Sequence, residues 1–267
     1  KVLEVIGLEK RYGKKGLYRD SSVLAAQNIS FTVRKGEITG IIGESGSGKS
    51  TVARCVMRLT DPSGGAIVLS GEDIVPVRNL RPIRKHVQYI FQDPYRSLNP
   101  RRTIGQSLTE GLLNYGVPQA EAARRAAETL ELVNMPAEVM SRYPHQFSGG
   151  QRQRIAIARA VVMEPDLLIA DEAVSALDVT VQAQVLQLFE EIRARTGIAI
   201  LFITHDLRVA AQICNTIVVM QRGRIVEQGP ARDVLAAPVQ DYTRSLIDAA
   251  PAPEWDFQNF RPVQRAV

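Results

Sequence analysis

The amino-acid sequence predicts an α/β fold with a large core and an appended subdomain. The apolar run Ile38–Ile42 leads through a glycine-rich loop into a helical stretch, Val52–Leu59, and short apolar runs recur along the chain. Strands that alternate with helical segments are typical of helix-covered parallel sheets. The chain has 267 residues, of which 45% are hydrophobic, so it can fill one such domain and a subdomain.

Short apolar segments predict the strands, and apolar residues at helical spacing predict the helices. The predicted strands are Val2–Leu8, Ile29–Val33, Ile38–Ile42, Ala66–Leu69, His86–Phe91, Asp166–Ala170, Ala199–Thr204, Thr216–Met220 and Arg224–Glu227. Beyond Val52–Leu59, the predicted helices are Gln119–Val133, Arg152–Met163, Val181–Arg195 and Arg232–Ala236. The mainly helical region from Tyr95 to about Tyr143 indicates an inserted helical subdomain. A polar stretch, Lys10–Ser22, separates the first two strands.

The loop after Ile38–Ile42 has the pattern G-x-x-x-x-G-K-S between a strand and a helix, which is typical of phosphate binding. Its glycines let successive N–H groups face an anion, and the helix N-terminus favours negative charge. Lys49 can reach the outer phosphates, and the Ser50 hydroxyl can bind the bridging Mg²⁺. The alternative, a flexible Gly/Ser turn, does not explain the Lys-Ser-Thr ending. The predicted triphosphate-binding residues are Gly43, Glu44, Ser45, Gly46, Ser47, Gly48, Lys49, Ser50 and Thr51.

Two carboxylates, Asp171 and Glu172, follow the apolar segment Leu167–Ala170. Ligands of open α/β sheets lie at the carboxyl ends of the strands. A strand packed beside the phosphate-loop strand would bring Asp171 to the Mg²⁺, directly or through water. Glu172 is then the candidate that polarises the attacking water. The alternative is a pair of solvated acids in a turn.

Four other positions are candidates for a functional role. His205 follows the strand Ala199–Thr204 and could contact the γ-phosphate or hold the water, although a histidine at a strand end is more often structural. Gln92 follows the strand His86–Phe91 and could sense Mg²⁺ and the attacking water. The turn Phe147–Gln151 precedes a helix and could grip phosphate, or be an ordinary Ser-Gly-Gly loop. Tyr12 could stack on adenine or merely cover a strand end.

Composition excludes several other classes of protein. Cys55 and Cys214 lie far apart, and the three histidines are dispersed, so no disulfide framework or zinc site is indicated. The net charge of +5 and pI of about 9.4 permit a nucleic-acid or anionic-membrane partner without requiring one. We find no charged-then-apolar leader and no apolar run near ~18 residues, so we expect a cytosolic protein. The start at Lys1 is what an excised part of a longer chain would give.

Taken together, these residues resemble the nucleotide-binding subunit of an ATP-binding-cassette (ABC) transporter over nearly the whole chain. In the family's order they match the adenine-stacking aromatic, the phosphate loop, the Q-loop glutamine, the signature, Walker B, the D-loop and the switch histidine. The corresponding positions are Tyr12, Gly43–Thr51, Gln92, Phe147–Gln151, Leu167–Glu172, Ser175–Asp178 and His205.

The resemblance implies a P-loop nucleotide hydrolase core sheet with an N-terminal antiparallel β subdomain and an inserted α-helical subdomain. We expect an ABC ATPase domain at 1–230, with helical subdomain about 95–150, and a C-terminal extension at 231–267. It also implies that two chains, the same or homologous, hold ATP and Mg²⁺ head to tail. The implied nucleotide contacts across that dimer come from Ser148, Gly149, Gly150, Gln151 and Asp178, and the implied metal ligands are Ser50, Gln92 and Asp171.

Within the family, the sequence is similar to dipeptide, oligopeptide and glutathione importer ATPases. Tyr143–Gln146 resembles ABC importers in general, and the features shared with this group are Ala173–Val179, Gln182–Gln184 and the lengthened Lys14–Ser22 segment. These ATPases often have His-Pro-Tyr-Thr near the C-terminus, where this chain has Gln240-Asp241-Tyr242-Thr243. The resemblance implies permease partners, indirectly a solute-binding protein, no nucleic acid, and a position on the inner face of the cell membrane. The alternative is a soluble ABC ATPase of DNA repair, chromosome structure or translation.

Overall fold

A computed structural model describes residues 1–13, 22–93, 97–250, 255–257 and 260–262. The chain divides into two compact units, of which the first comprises Lys1–Leu80 with Ala199–Val267 and the second comprises Arg81–Ile198. The strands are β1 Leu3–Tyr12, β2 Val23–Val33, β3 Ile38–Ile42, β4 Gly64–Leu69, β5 Glu72–Asp73, β6 Val87–Ile90, β7 Leu167–Asp171, β8 Ala199–Ile203, β9 Thr216–Gln221, β10 Arg224–Pro230, β11 Trp255–Asp256 and β12 Arg261–Pro262.

The helices alternate with these strands, as the sequence predicts. They are α1 Lys49–Val56, α2 Arg81–His86, α3 Ile104–Asn114, α4 Gln119–Leu132, α5 Gly149–Val161, α6 Val179–Thr196, α7 Leu207–Ile213, α8 Ala231–Ala236 and α9 Asp241–Ala249. Two short 3₁₀ helices, Ala137–Ser141 and Pro144–Gln146, precede α5. The combination of helices with parallel and antiparallel strands confirms the predicted α/β class.

The first unit contains two larger sheets and the short antiparallel pair of β11 and β12. The antiparallel sheet has the strand order β2-β1-β4-β5. In the other sheet, β3 lies between β8 and β9 and is parallel to both, and β10 pairs with β9 in an antiparallel hairpin. All residues of β3 and β8 are buried, which explains why these strands are continuous apolar runs without polar alternation.

The second unit combines one parallel strand pair, β6 and β7, with helices. Helix α3 begins with a capping box, in which Thr103 and Gln106 bond each other's backbone N–H groups. Helices α3 and α4 pack against the residues that directly follow α5. The members of this apolar cluster are Leu112, Ala122, Val162 and Met163 with the partly buried Tyr115 and Val117. Helices α3 and α4 lie inside the predicted helical range 95–150, and the domain limits stay a prediction.

Several predicted element boundaries were wrong. Strand β1 extends to Tyr12 and β2 begins at Val23, so part of the polar stretch Lys10–Ser22 is strand. An antiparallel sheet can have one face in water and accept polar side chains there, which is why polarity misled the prediction. His86 ends helix α2 and does not begin a strand. Helices α2, α7 and α9 were not predicted, because each has only six to nine residues, too few to show a helical period.

Two further observations bear on the sequence-based expectations. Among the described residues, no helix is both long enough and apolar enough to cross a membrane. Both cysteines are buried thiols outside any disulfide. Burial raises the pKa of the Cys55 thiol to about 11, so this thiol stays protonated and unreactive at neutral pH.

Candidate active site

The loop between β3 and α1 is built on glycines that tolerate no side chain. Gly43, Gly46 and Gly48 have φ angles of 146°, 80° and 103°, in the region that favours glycine. A Cβ on Gly43 would lie 2.2 Å from the carbonyl oxygen of Met220, and one on Gly48 would lie 2.3 Å from that of Ala25. The loop backbone is therefore pressed against β2 and β9, and its shape depends on these glycines.

Lys49 is folded back over this loop. Its side-chain ammonium donates hydrogen bonds to the carbonyl oxygens of Gly43 and Glu44, both at 2.8 Å, and the residue is only 5% exposed. A buried ammonium is costly unless it is well paired. The two carbonyls pair the ammonium within the loop, where an anion would replace these contacts with a stronger ion pair.

The β9–β10 turn supports the loop through a contact between Gly223 and Ser47. The Gly223 N–H donates to the carbonyl oxygen of Ser47 at 2.9 Å. The Ser47 hydroxyl is buried and has no hydrogen-bond partner in the part of the chain that the structure describes. Together with the inward-facing Lys49, this orphaned polar atom fits a loop that is completed by a phosphate ligand.

His205 lies at the same sheet edge as the loop. The register pairs Ile41 of β3 with Ile203 of β8, and the Thr204 N–H donates to Ile41. Two residues beyond this pair, the two parallel strands lead to Gly43 and to the exposed His205. Strand pairing therefore brings the predicted histidine to the loop-bearing edge of the first unit.

Asp206 fixes the backbone next to this histidine. Its side chain accepts the Arg208 N–H at the start of α7, and the Arg208 guanidinium pairs with the same carboxylate. Burial of Asp206 opposes its charge, but the hydrogen bonds from Arg208 outweigh burial and lower the pKa of the carboxyl. The helix cap therefore stays ionised at neutral pH and holds the turn that carries His205.

Tyr12, the last residue of β1, is 40% exposed. The Lys10 ammonium lies 4.9 Å from the centre of its ring, in a cation–π contact. The tyrosine is thus an available ring, as stacking on a base requires. Tyr18, the alternative aromatic in this region, lies outside the described residues.

In the second unit, Asp171 ends β7 and is buried. Its Oδ2 atom accepts a hydrogen bond of 2.5 Å from the Tyr89 hydroxyl of β6. The sequence did not single out Tyr89. Its paired residue is Ile169, and Asp171 follows two positions later on the same face of the sheet, so only the strand register could have revealed the contact.

Gln92 and Glu172 are in direct contact. The register pairs Ile90 with Ala170, and two residues beyond it the Gln92 side-chain amide donates to Glu172 Oε2 at 2.9 Å. Glu172 has a φ of 49°, which costs a non-glycine residue of the order of 1 kcal/mol. The structure therefore brings together two residues that the sequence predicts only separately.

The other predicted site residues of the second unit act as helix caps. Ser148 caps α5, because its hydroxyl accepts the Gln151 N–H and the Gln151 side chain accepts the Ser148 N–H. Asp178 caps α6 by accepting the Val181 N–H at 2.9 Å. Gly150 is pressed against Val181, where a Cβ would meet a methyl group at 2.4 Å. These contacts fix the geometry of both turns and leave their nucleotide contacts as predictions.

The comparisons with known proteins agree with this geometry. A sequence model of the family described as "ABC transporter" matches residues 26–175. A putative peptide import ATP-binding protein of Brucella ovis is 46% identical over 267 residues, which are 99% of this chain and 83% of that protein. The glutathione import ATP-binding protein GsiA of Salmonella typhi is 46% identical over 256 residues, or 94% of this chain and 41% of the longer GsiA.

A solved structure is similar as well. The dimeric post-hydrolysis state of the ATP-binding cassette MJ0796, bound to ADP and Pi, matches with a TM-score of 0.75 and 27% identity, over 86% of this chain and 98% of that one. The family match covers more than half of the chain and includes the glycine loop, Gln92, Asp171 and Glu172. The chain therefore belongs to the ABC transporter family and is one of its ATP-binding, ATP-hydrolysing cassettes.

Proposed function

We propose that the chain powers the import of a peptide-like solute through separate permease subunits. The observation that carries this proposal is the similarity to peptide import ATP-binding proteins along almost the entire chain. The glycine loop, with Lys49 over its centre, supports binding of the ATP phosphates. The names of these relatives, import ATP-binding proteins, support separate permease partners.

The hydrolytic step would divide its tasks among three groups of side chains. Lys49 and the loop N–H groups would bind the phosphates of ATP. Ser50, Gln92 and Asp171 offer hydroxyl, amide and carboxylate oxygens, the hard donors that Mg²⁺ prefers. Bound Mg²⁺ would neutralise charge on the phosphates. Glu172 would accept a proton from the attacking water. Gln92 would orient the Glu172 carboxylate, and His205 would contact the γ-phosphate.

The assembly would be a head-to-tail pair of cassettes on the inner face of the cell membrane. The dimeric ATP-binding cassette that resembles this chain supports that arrangement. Ser148, Gly149, Gly150 and Gln151 would contact the ATP bound to the partner's phosphate loop, and Asp178 would lie beside it. Residues 1–230 would form the ATPase domain, and 231–267 its extension.

Reconstitution tests the proposed import. The chain, purified with its permeases and placed in liposomes, should accumulate labelled di- to pentapeptides when ATP and the solute-binding protein are supplied. A Glu172→Gln preparation should accumulate none. ATPase activity that responds to DNA or ribosomes and not to peptide would contradict the proposal and support the DNA-repair, chromosome or translation alternative, which the relatives do not favour.

Tyr12→Ala should raise the Michaelis constant for ATP about tenfold and leave the maximal rate almost unchanged. Loss of one stacked ring removes about 1–3 kcal/mol, and it removes binding that the ground state and transition state share. Tyr12→Trp should restore the wild-type constant, because an aromatic face is all that stacking needs. Steady-state kinetics measure both values, and an unchanged constant in Tyr12→Ala would show that this ring does not contact adenine.

Tyr89→Phe should raise the Mg²⁺ concentration needed for half-maximal activity about tenfold. The Tyr89 hydroxyl orients the Asp171 carboxylate, and loss of such a supporting contact weakens metal sites by this order. Mg²⁺-dependent binding of a fluorescent ATP analogue should show the same shift without turnover. If the Mg²⁺ dependence is that of the wild type, the hydroxyl serves only the packing of β6 on β7.

A further inference from the structure

Helix α9 of the C-terminal extension contacts the phosphate loop. The Glu44 N–H, the second in the loop, donates a hydrogen bond of 3.3 Å to the Tyr242 hydroxyl in the first turn of α9. The two residues are 198 positions apart in the sequence. The cassette roles described above do not account for this contact.

The first unit anchors α9 firmly at its N-terminus. Glu227 of β10 accepts the N–H groups of Val239 and Gln240, the two residues before α9, at 2.8 and 3.1 Å, and so holds the start of the helix. Thr243, next to Tyr242, is completely buried. Strand β10 pairs with β9, whose Met220 touches the loop at Gly43. The tyrosine therefore reaches the loop from a support that is independent of α1.

Tyr242 and Lys49 bind the two polar atoms of the peptide group that joins Gly43 to Glu44. The carbonyl of Gly43 accepts the Lys49 ammonium, and the N–H of the same peptide, which belongs to Glu44, donates to Tyr242. When the Lys49 ammonium turns to the phosphates of ATP, the carbonyl side loses its partner. The hydrogen bond to Tyr242 is then the contact that keeps this peptide in its orientation.

The hydroxyl suits this task chemically. Burial raises the pKa of Tyr242, further from neutrality than that of a free tyrosine. The group therefore stays neutral at physiological pH and adds no negative charge next to the triphosphate. A neutral oxygen acceptor can fix the loop without repelling the ligand.

We propose that Tyr242 is a positioning residue, by which the C-terminal helix holds the phosphate loop in its ATP-binding shape. This inference rests on the proposed role of the loop. It assigns the extension a part in nucleotide affinity, separate from any contact with other subunits.

Tyr242→Phe removes the hydroxyl and keeps the ring. We expect it to raise the dissociation constants of ATP and ADP and the Michaelis constant for ATP about three- to fivefold, with the turnover number within about twofold of wild type. Fluorescent-nucleotide titration and steady-state kinetics measure these values. The matched control is Tyr115→Phe in the second unit. It removes a hydroxyl that donates to the Arg81 carbonyl of the same unit, and it should leave nucleotide affinity unchanged.

Three readouts make the test decisive. Thermal unfolding without nucleotide should be alike for Tyr242→Phe and Tyr115→Phe, so that a selective loss of affinity cannot come from general destabilisation. Wild-type affinity in Tyr242→Phe, or an equal loss in Tyr115→Phe, would overturn the inference. Lys49→Ala, measured in parallel, tests the loop itself. Normal ATP binding in that variant would refute the proposed phosphate-binding role of the loop, whereas loss of binding there beside normal binding in Tyr242→Phe would refute only the role of Tyr242.

Discussion

Replacement of Glu172 by glutamine should slow ATP hydrolysis by about 10²- to 10⁴-fold and leave the affinity for ATP within about threefold of wild type. Glutamine keeps the size of the side chain and an oxygen but cannot accept the proton of the attacking water. Because the carboxylate would act on the transition state and not on the bound substrate, the loss should appear in the turnover number.

The geometry of Glu172 supports this prediction. Glu172 sits at a strained φ of 49° and accepts a hydrogen bond from Gln92, so its carboxylate has a defined direction. Phosphate release measures the rate, and a fluorescent ATP analogue measures affinity. Glu128→Gln, which neutralises an exposed glutamate paired with Arg124, is the matched control and should retain the wild-type rate. Normal hydrolysis by Glu172→Gln would refute the general-base role.

Lys49→Ala should abolish measurable hydrolysis and weaken ATP binding about 10- to 100-fold. The change removes a charge-assisted contact with the outer phosphates that alanine cannot replace. It also leaves the carbonyls of Gly43 and Glu44 without the ammonium that holds them in the nucleotide-free protein. Loss of affinity should therefore accompany loss of rate, unlike the pattern expected for Glu172→Gln.

Two controls test whether the loss in Lys49→Ala comes from misfolding or from the removal of any lysine. Circular dichroism should show that Lys49→Ala keeps its secondary structure, because the lysine lies at the start of α1 and outside the apolar core. Lys85→Ala removes an exposed lysine from the last turn of α2 and should behave as wild type. Hydrolysis near the wild-type rate in Lys49→Ala would show that the ammonium does not serve the phosphates.

Much of the fold could be predicted from the sequence, because its signals are local. Strand β3, the glycine loop and α1 follow one another within 19 residues, and each has its own composition. The predicted helix Gln119–Val133 matches α4 almost to the residue, because its apolar positions repeat at helical spacing. The α/β class followed from the same kind of pattern.

The contacts that refine the site could not be predicted, because they depend on strand register and on distant packing. The Tyr89–Asp171 and Gln92–Glu172 contacts join residues of β6 and β7 that are about 80 positions apart. The link between Tyr242 and Glu44 joins residues 198 positions apart, so the sequence carries no local signal for it. The strained φ of Glu172 is likewise a property of the folded chain.

ATP-dependent dimerisation of the Glu172→Gln protein tests the central claim most directly, that two cassettes hold ATP between the phosphate loop of one and the signature of the other. The experiment compares it with a double variant that also carries Ser148→Asp. Aspartate can still cap α5 but places a negative charge where the partner's triphosphate would lie. Light scattering on a size-exclusion column, with the permeases present, reports the dimer.

The account predicts a dimer of Glu172→Gln with ATP, none with ADP, and none with ATP in the double variant. A control with Ser148→Asn, which caps the helix without charge, should dimerise more than the aspartate variant. A dimer that forms equally with ADP, or that the Ser148→Asp change leaves intact, would contradict the account.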